Sequence, residues 1–227
     1  MSPSESPNST DRVRIWDAPT RLFHWALVAL VLAAWRTAET RNIAWHVLSG
    51  IGIAGLLVFR LWWGFFGGST ARFSQFVRGP RRVAAYAAGV MRRESEDHSG
   101  HNPMGGWSVV ALLLCLVALI GFGFFAVDVD GMDSGPLSDL VSFDAGRAAS
   151  HFHVLAFRGL EILVGLHVAA ILFYALVKRQ NLVAPMLTGR RRFAGIAMTP
   201  ASPLMLAAGL FLALAAILLL LHLDGIF

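Results

Sequence analysis

The chain has 227 residues, of which 56% are hydrophobic and 15% are charged, and its mean hydropathy is +0.61. This composition is too apolar for an ordinary soluble domain. Lys and Arg outnumber Asp and Glu by 19 to 14. We attribute this excess to membrane topology and to attraction for anionic lipid headgroups, because the sequence shows no nucleic-acid-binding motif. We therefore expect the lipid bilayer, and no nucleic acid, as a partner.

In chain order, the predicted elements begin with a polar head. Residues 1–13 are polar, rich in Pro and Ser, and lack the apolar stretch of a removable signal peptide, so we expect a disordered head. Five stretches then meet the requirement of about 20 apolar residues for a helix that crosses a bilayer core of about 30 Å. They lie near 22–38, 44–66, 106–127, 152–177 and 203–223. The first gains length if its helix begins at Pro19-Thr20 with Thr20 as the cap.

The connections between these stretches complete the predicted architecture. Residues 37–42 form a tight turn, 83–91 a short helix on the membrane surface, and 128–150 a loop that caps the bundle, meets a partner or merely connects. We predict an all-α membrane protein: a four-helix transmembrane bundle over residues 14–190, and a fifth C-terminal transmembrane helix within 191–227. The fifth helix carries no polar residue at the inner level, which favours a role in packing or partner contact.

The distribution of basic residues predicts the orientation. They cluster before the first stretch, after the second and after the fourth, whereas the opposite loops hold only Arg36, Arg41 and Arg147. The loop after the third stretch is acidic. Because basic loops remain in the cytoplasm, we expect a cytoplasmic N-terminus and a periplasmic C-terminus.

Histidines within the spans are the main functional signal, because ionisable side chains are costly at membrane depth. His153 and His167 are 14 residues apart, so a helix places them within about 40° of one face and about 21 Å apart along its axis. His151 would lie about 160° round the helix from His167, which makes it the poorer ligand candidate.

The predicted orientation pairs these two histidines with two others. His24 shares the inner level with His167, and His46 shares the outer level with His153. Facing imidazoles can hold a haem iron on both axial sides, an arrangement that leaves no open position for oxygen and favours electron transfer. The only cysteine, Cys115, excludes covalent c-type attachment, so both haems would be b-type. A lone histidine would instead suggest an interhelical hydrogen bond, but the two depth-matched pairs favour haem.

Three arginines are further candidates. Arg60 and Arg78 lie near the inner interface, where they could contact haem propionates or a quinone headgroup, or could simply be topological charges. Arg158 could hold a propionate, or could form an ion pair with Glu161, three residues later. Glu161 could alternatively relay protons to a quinone.

Six motifs occur in order along the chain. They are RIWDAPTRLFHW (14–25), WHVLSG (45–50), FRLWWG (59–64), FSQFVRGP (73–80), GHNPMGG (100–106) and GLH (165–167). Over roughly residues 14–190 the chain resembles the bacterial cytochrome b561 / nickel-iron hydrogenase cytochrome b family. The resemblance implies a di-haem core in the bacterial inner membrane that passes electrons between a partner and membrane quinone, with His24, His46, His153 and His167 as the haem ligands. The charged Arg158 and Glu161 and the fifth helix depart from the family pattern.

The leading hypothesis is therefore an electron-transfer cytochrome with two haems b. It would serve as the cytochrome b subunit of a respiratory redox complex, with a hydrogenase or a cytochrome c as its partner and membrane quinone as substrate. A self-sufficient quinone-linked oxidoreductase that acts on a small molecule at the outer face remains open, as does a haem-free transporter or scaffold. An electron-transfer subunit is favoured over a stand-alone enzyme.

Overall fold

The structure, a computed structural model, describes residues 12–90, 100–130, 133–192 and 197–225. In these ranges nearly all regular structure is helical. The helices are α1 (Ala18–Glu39), α2 (Ile43–Phe66), α3 (Phe73–Phe76), α4 (Pro80–Gly89), α5 (Pro103–Phe124), α6 (Phe143–Leu176), α7 (Val183–Thr188) and α8 (Pro203–Leu223), with two short strands, β1 (Arg12–Arg14) and β2 (Arg190–Arg192).

Five of the described helices, α1, α2, α5, α6 and α8, are long and apolar enough to cross a membrane. They confirm the predicted all-α membrane fold and its five spans. The bounds of α8 are those predicted, and α2 begins one residue early. The predicted surface helix is α4, which begins at Pro80, before the expected start at 83, because proline is favoured in the first turn. Residues 91–99 lie outside the described ranges.

Two spans begin earlier than predicted because a side chain caps them. The N–H of Thr20 donates to Asp17 Oδ1 at 2.8 Å, so Asp17, and not Thr20, is the cap of α1. The N–H of Gly105 donates to Asn102 Oδ1 at 2.7 Å, which starts α5 at Pro103. At its other end α5 stops at Phe124, three residues before the predicted end.

The largest difference is at the outer end of α6. This helix of 34 residues begins at Phe143, nine residues earlier than predicted, and is capped by Ser142. It is about 51 Å long, against a bilayer core of about 30 Å. The loop before α6 packs on these extra turns. The backbone of Val127 exchanges hydrogen bonds with the Ser150 hydroxyl, and the Val127 side chain lies so close to Gly146 that a side chain at residue 146 would collide with it. The loop is thus partly fastened to α6.

The helices pack as two hairpins with a fifth helix beside them. α1 packs against α2 and α5 against α6, and the two hairpins meet mainly through α2 and α5, around buried Ile53, Leu57 and Leu116. α8 packs on α2, where Gly209 accommodates Trp62, whose Nε1 donates to Met205 O at 2.8 Å. The four-helix core and the fifth helix are therefore joined along one face of α2.

The two strands connect distant parts of the chain. β1 and β2 pair antiparallel, with Arg14 opposite Arg190. Arg12 and Val13, which we expected in the disordered head, instead belong to β1 because the segment after α7 supplies a pairing partner. The rest of that head, residues 1–11, lies outside the described ranges.

Candidate functional site

The outer histidines face each other across the bundle. The ring centres of His46 on α2 and His153 on α6 are 6.0 Å apart, with ring planes at 86°. His46 Nδ1 lies 2.9 Å from the carbonyl oxygen of Ala34, and His153 Nδ1 lies 2.8 Å from that of Leu119. A carbonyl can only accept, so each Nδ1 carries the proton and donates it. Nε2 of each ring is therefore left as a lone-pair donor for a metal.

The spacing of these rings fits one iron atom between them. Metal–imidazole bonds are about 2 Å long and the ring centre lies about 1 Å further on, so two rings that share one metal have centres about 6 Å apart. Beside the rings lies a cavity of about 650 Å³, within the usual range of cofactor sites. Gly50 faces it, one turn after His46, and a Cβ added at this glycine would meet nothing within 4 Å. The outer site thus offers two candidate ligands beside a cavity of a size that suits a cofactor.

Gly123 on α5 allows His153 its position. A Cβ at residue 123 would lie 2.8 Å from His153 Nδ1 and 2.9 Å from Cε1, closer than normal contact. The acceptor of this imidazole, the carbonyl of Leu119, lies one turn before Gly123 on the same helix. Because glycine has no side chain, the imidazole can approach α5 closely enough to donate to that carbonyl. Sequence reasoning missed this residue, and a glycine among the apolar residues of a span was its only signal.

Charged side chains also line the cavity. Arg158 lies there and forms an ion pair with Glu161 at 2.9 Å, as one of the two sequence interpretations expected. The two side chains are 68% and 40% exposed and both line the cavity, so the pair is accessible to an acid group of a ligand bound there. Arg36 and Glu39, at the end of α1, line the same cavity. Sequence reasoning had counted Arg36 only as a loop charge.

The inner end gathers three histidines. His24 on α1 and His167 on α6 interact electrostatically, and His101, just before α5, interacts with both. His101 packs between Trp16 and Phe76, with ring centres 4.7 and 4.8 Å away. Burial, followed by the charge of Arg60, lowers the pKa of His101 to about 3, so this ring is neutral at physiological pH.

Two histidine nitrogens at the inner end are buried without a partner among the described residues: Nδ1 of His24 and Nδ1 of His101. A buried polar atom without a hydrogen bond is destabilising by about 1–3 kcal/mol. Such atoms are common where a ligand completes the site. The inner cluster therefore has unused hydrogen-bonding capacity next to the candidate ligands.

Arg60 on α2 is the most deeply buried of the three predicted arginines. It is 3% exposed, its guanidinium stacks on the Phe73 ring at 4.9 Å, and it interacts with the buried carboxylate of Asp17. Asp17 also accepts from Trp63 Nε1 at 3.0 Å. Nη1 of Arg60 is buried with no hydrogen-bond partner in the described part of the chain. A buried cation with a spare N–H suits the carboxylate of a haem propionate.

Other candidates lie elsewhere. The contact of Arg78 is through its backbone, whose carbonyl accepts from Trp107 Nε1 at 2.8 Å, and no described contact links its side chain to the histidines. His151 is exposed and contacts Phe152, in agreement with its predicted position away from the ligand face. His222 is exposed at the end of α8.

No group of three or more His, Cys, Asp or Glu residues within the described ranges is arranged to hold a bare metal ion. His46 and His153 instead face each other as a pair. Two axial ligands suffice for an iron whose other four positions are occupied by a porphyrin. The donor set thus suits haem better than a metal-transport site.

Comparison with known proteins gives one match. The family model of prokaryotic cytochrome b561 matches residues 15–189, a range that includes α1, α2, α5 and α6 and excludes α8. No curated protein and no solved structure matches the chain significantly. The family binds b-type haem in the membrane, which argues against the haem-free transporter or scaffold, and it indicates transmembrane electron transfer. The chain belongs to the prokaryotic cytochrome b561 family.

Proposed function

We propose that this chain carries electrons across the bacterial inner membrane between a redox partner and membrane quinone, as the cytochrome b subunit of a respiratory redox complex. Two b haems would be held by His46 and His153 at the outer level and by His24 and His167 at the inner level. The observation that carries the proposal is the outer pair: two imidazoles with ring centres 6.0 Å apart, both held through Nδ1, in the wall of a cavity.

The chain's own groups hold and orient the ligands. The carbonyls of Ala34 and Leu119 keep the outer rings in one tautomer, and the rigid helix α6 separates the two levels by about 21 Å. Haem held by two imidazoles supplies one-electron transfer and has no free position for oxygen. Residues 14–190 would form the di-haem domain, and α8, within 191–227, would support it by packing on α2.

The arginines would bind the acid groups of the haems. Arg60, with its unpartnered Nη1, is suited to a propionate at the inner level, and Arg158 and Arg36 are suited to the outer level because they line the cavity. Charge-assisted hydrogen bonds of this kind are among the stronger ones in proteins. Arg78 remains a weaker candidate for a propionate or quinone contact, since its described contact is through the backbone.

We place quinone exchange at the inner end and the redox partner at the outer end. The inner end offers His101 Nδ1, a buried group that could donate to a quinone carbonyl. The outer end carries exposed Asp130, Asp133, Asp139 and Asp144, which would attract a basic face on a hydrogenase or a cytochrome c. This arrangement uses the orientation expected from the basic loops, with the N-terminus cytoplasmic and the C-terminus periplasmic.

The test is haem quantification in ligand variants. Purified protein should show a low-spin b-type difference spectrum and about two haems per chain by pyridine haemochrome assay. His153→Ala should lose the outer haem and His167→Ala the inner one, each leaving about one haem per chain. His151→Ala is the matched control, since this exposed neighbour of His153 should retain both. Retention of two haems in both ligand variants would refute the pairing.

A second experiment distinguishes the hypothesis that the chain is a subunit of a complex from the hypothesis that it is a self-sufficient enzyme. The protein is purified under mild conditions with its native partners, and quinone reduction is then measured with and without the co-purifying fraction. A catalytic or cytochrome c subunit that is required for activity supports the subunit. Full activity of the isolated chain toward a small reductant would favour the quinone-linked oxidoreductase.

A further inference from the structure

A second cavity lies at the opposite end from the outer histidines, where α1 begins. It has a volume of about 420 Å³. Among the residues that the structure describes, four arginines line it and no acidic residue does. The lining residues are Arg12, Arg14, Trp16, Ala18, Arg21, Thr188 and Arg190.

The backbone holds two of these arginines opposite each other. Arg14 and Arg190 are directly paired across the β1–β2 ribbon. Like charges in this position repel and destabilise a ribbon. A main-chain hydrogen bond from Ile15 N to Gly189 O at 2.9 Å nevertheless holds the two segments together beside this pair, and one from Met198 N to Arg14 O at 2.9 Å fastens β1 to the segment after β2. The ribbon therefore concentrates positive charge that no acidic lining residue within the described ranges offsets.

Arg21 forms the inner wall of the cavity. Its Nη1 donates to the carbonyl of Leu187, while its Nε is buried with no partner among the described residues. Gly189, at φ 77°, turns the chain between α7 and β2, and a side chain there would contact the Arg21 guanidinium. Glycine adopts this left-handed conformation without strain and leaves room for the Arg21 guanidinium, whose buried Nε–H lies beside the other arginines.

An apolar surface adjoins the cavity. Leu22 on α1 is 71% exposed and Leu187 on α7 is 58% exposed. Trp25 is partly exposed on the same helix and ties it to α7, because its Nε1 donates to Met186 O at 3.2 Å. The arginines and these residues together form a charged site bordered by a lipid-facing surface.

We propose that this cavity binds the phosphate headgroup of an anionic phospholipid, whose acyl chains lie along Leu22, Trp25 and Leu187. Arginine guanidinium groups match phosphate oxygens, and basic pockets between helices at a membrane surface bind anionic lipid headgroups. The lipid would neutralise the arginine ribbon and fasten the segment before α1 to the segment before α8. The site is separate from the histidine pairs and does not depend on their role.

The test compares two double variants that remove the same charge. Arg14→Gln/Arg190→Gln alters the cavity, whereas Arg81→Gln/Arg82→Gln alters two exposed residues of α4 at the same end of the bundle. Each protein is delipidated, then titrated with phosphatidylglycerol, with phosphatidylcholine and with inorganic phosphate. Bound lipid is counted by native mass spectrometry, and thermal stability and haem absorbance are followed in parallel.

Phosphatidylglycerol should bind the cavity variant about 30-fold more weakly than the wild-type protein, and the α4 variant within about twofold of it. It should raise the melting temperature of the wild-type protein and of the α4 variant only. Without lipid, the cavity variant should keep its haem absorbance and melt no earlier than the wild type, because a repulsive pair has been removed. Equal lipid binding by both variants would overturn the proposal. So would equal stabilisation by inorganic phosphate alone, which would indicate a site for free phosphate.

Discussion

Gly123→Ala should weaken the outer haem site selectively. The added Cβ would stand 2.8 Å from His153 Nδ1, while that nitrogen is held 2.8 Å from the Leu119 carbonyl. Either the ring moves and loses a hydrogen bond of about 0.5–1.5 kcal/mol, or the helices separate at an overpacking cost of about 1–3 kcal/mol. At about 1.4 kcal/mol per factor of ten, haem affinity at this level should fall about twofold to a hundredfold.

The assay is haem content per chain during dilution, combined with a potentiometric titration that resolves the two haems. Gly121→Ala is the control, because it lies on the same helix and its added Cβ would meet nothing within 4 Å. Both substitutions raise helix propensity equally, so any difference reflects the contact with His153. If Gly123→Ala binds both haems as tightly as Gly121→Ala, the outer site is not built on His153 as we describe.

Three further outcomes follow from the packing. Arg60→Gln should lower the reduction potential of one haem by on the order of tens of mV, because a nearby buried cation favours the reduced state; redox titration beside Arg81→Gln would check this. Gly50→Leu should occupy the outer cavity and leave about one haem per chain by pyridine haemochrome, and an unchanged count would contradict the placement of that cavity. Gly209→Leu should collide with Trp62, loosen α8 and lower the melting temperature by a few degrees with both haems retained, since α8 packs away from the histidines; loss of haem would assign α8 a direct role.

The spans and the histidine levels could be predicted because they depend on local and periodic properties. Length and hydropathy identify α8 to the residue, and the helical repeat places His153 and His167 on one face. The start of α6 could not be found this way. Its extra turns are polar, and what extends them is a loop that returns to pack on Gly146 and Ser150.

Part of the site depends on contacts between segments far apart in the sequence. The acceptors for the outer rings are backbone carbonyls of Ala34 and Leu119, and any residue type supplies a carbonyl. The three-residue strands β1 and β2 could not be predicted either, because Arg12–Arg14 and Arg190–Arg192 are far apart in the sequence and pair only in the folded chain. Tertiary packing, and not local propensity, determines these features.

The two histidine levels differ in how their imidazoles are held, and this difference has an energetic direction. Donation from Nδ1 to a carbonyl makes an imidazole a stronger electron donor to iron, which favours the oxidised metal, and both outer rings donate in this way. At the inner level His24 Nδ1 has no acceptor within the described ranges, and the cation of Arg60 interacts with His101, which in turn interacts with His24 and His167. If haems occupy both proposed sites, we therefore expect the outer one to have the lower reduction potential, so that electron transfer from the outer to the inner haem is thermodynamically favourable.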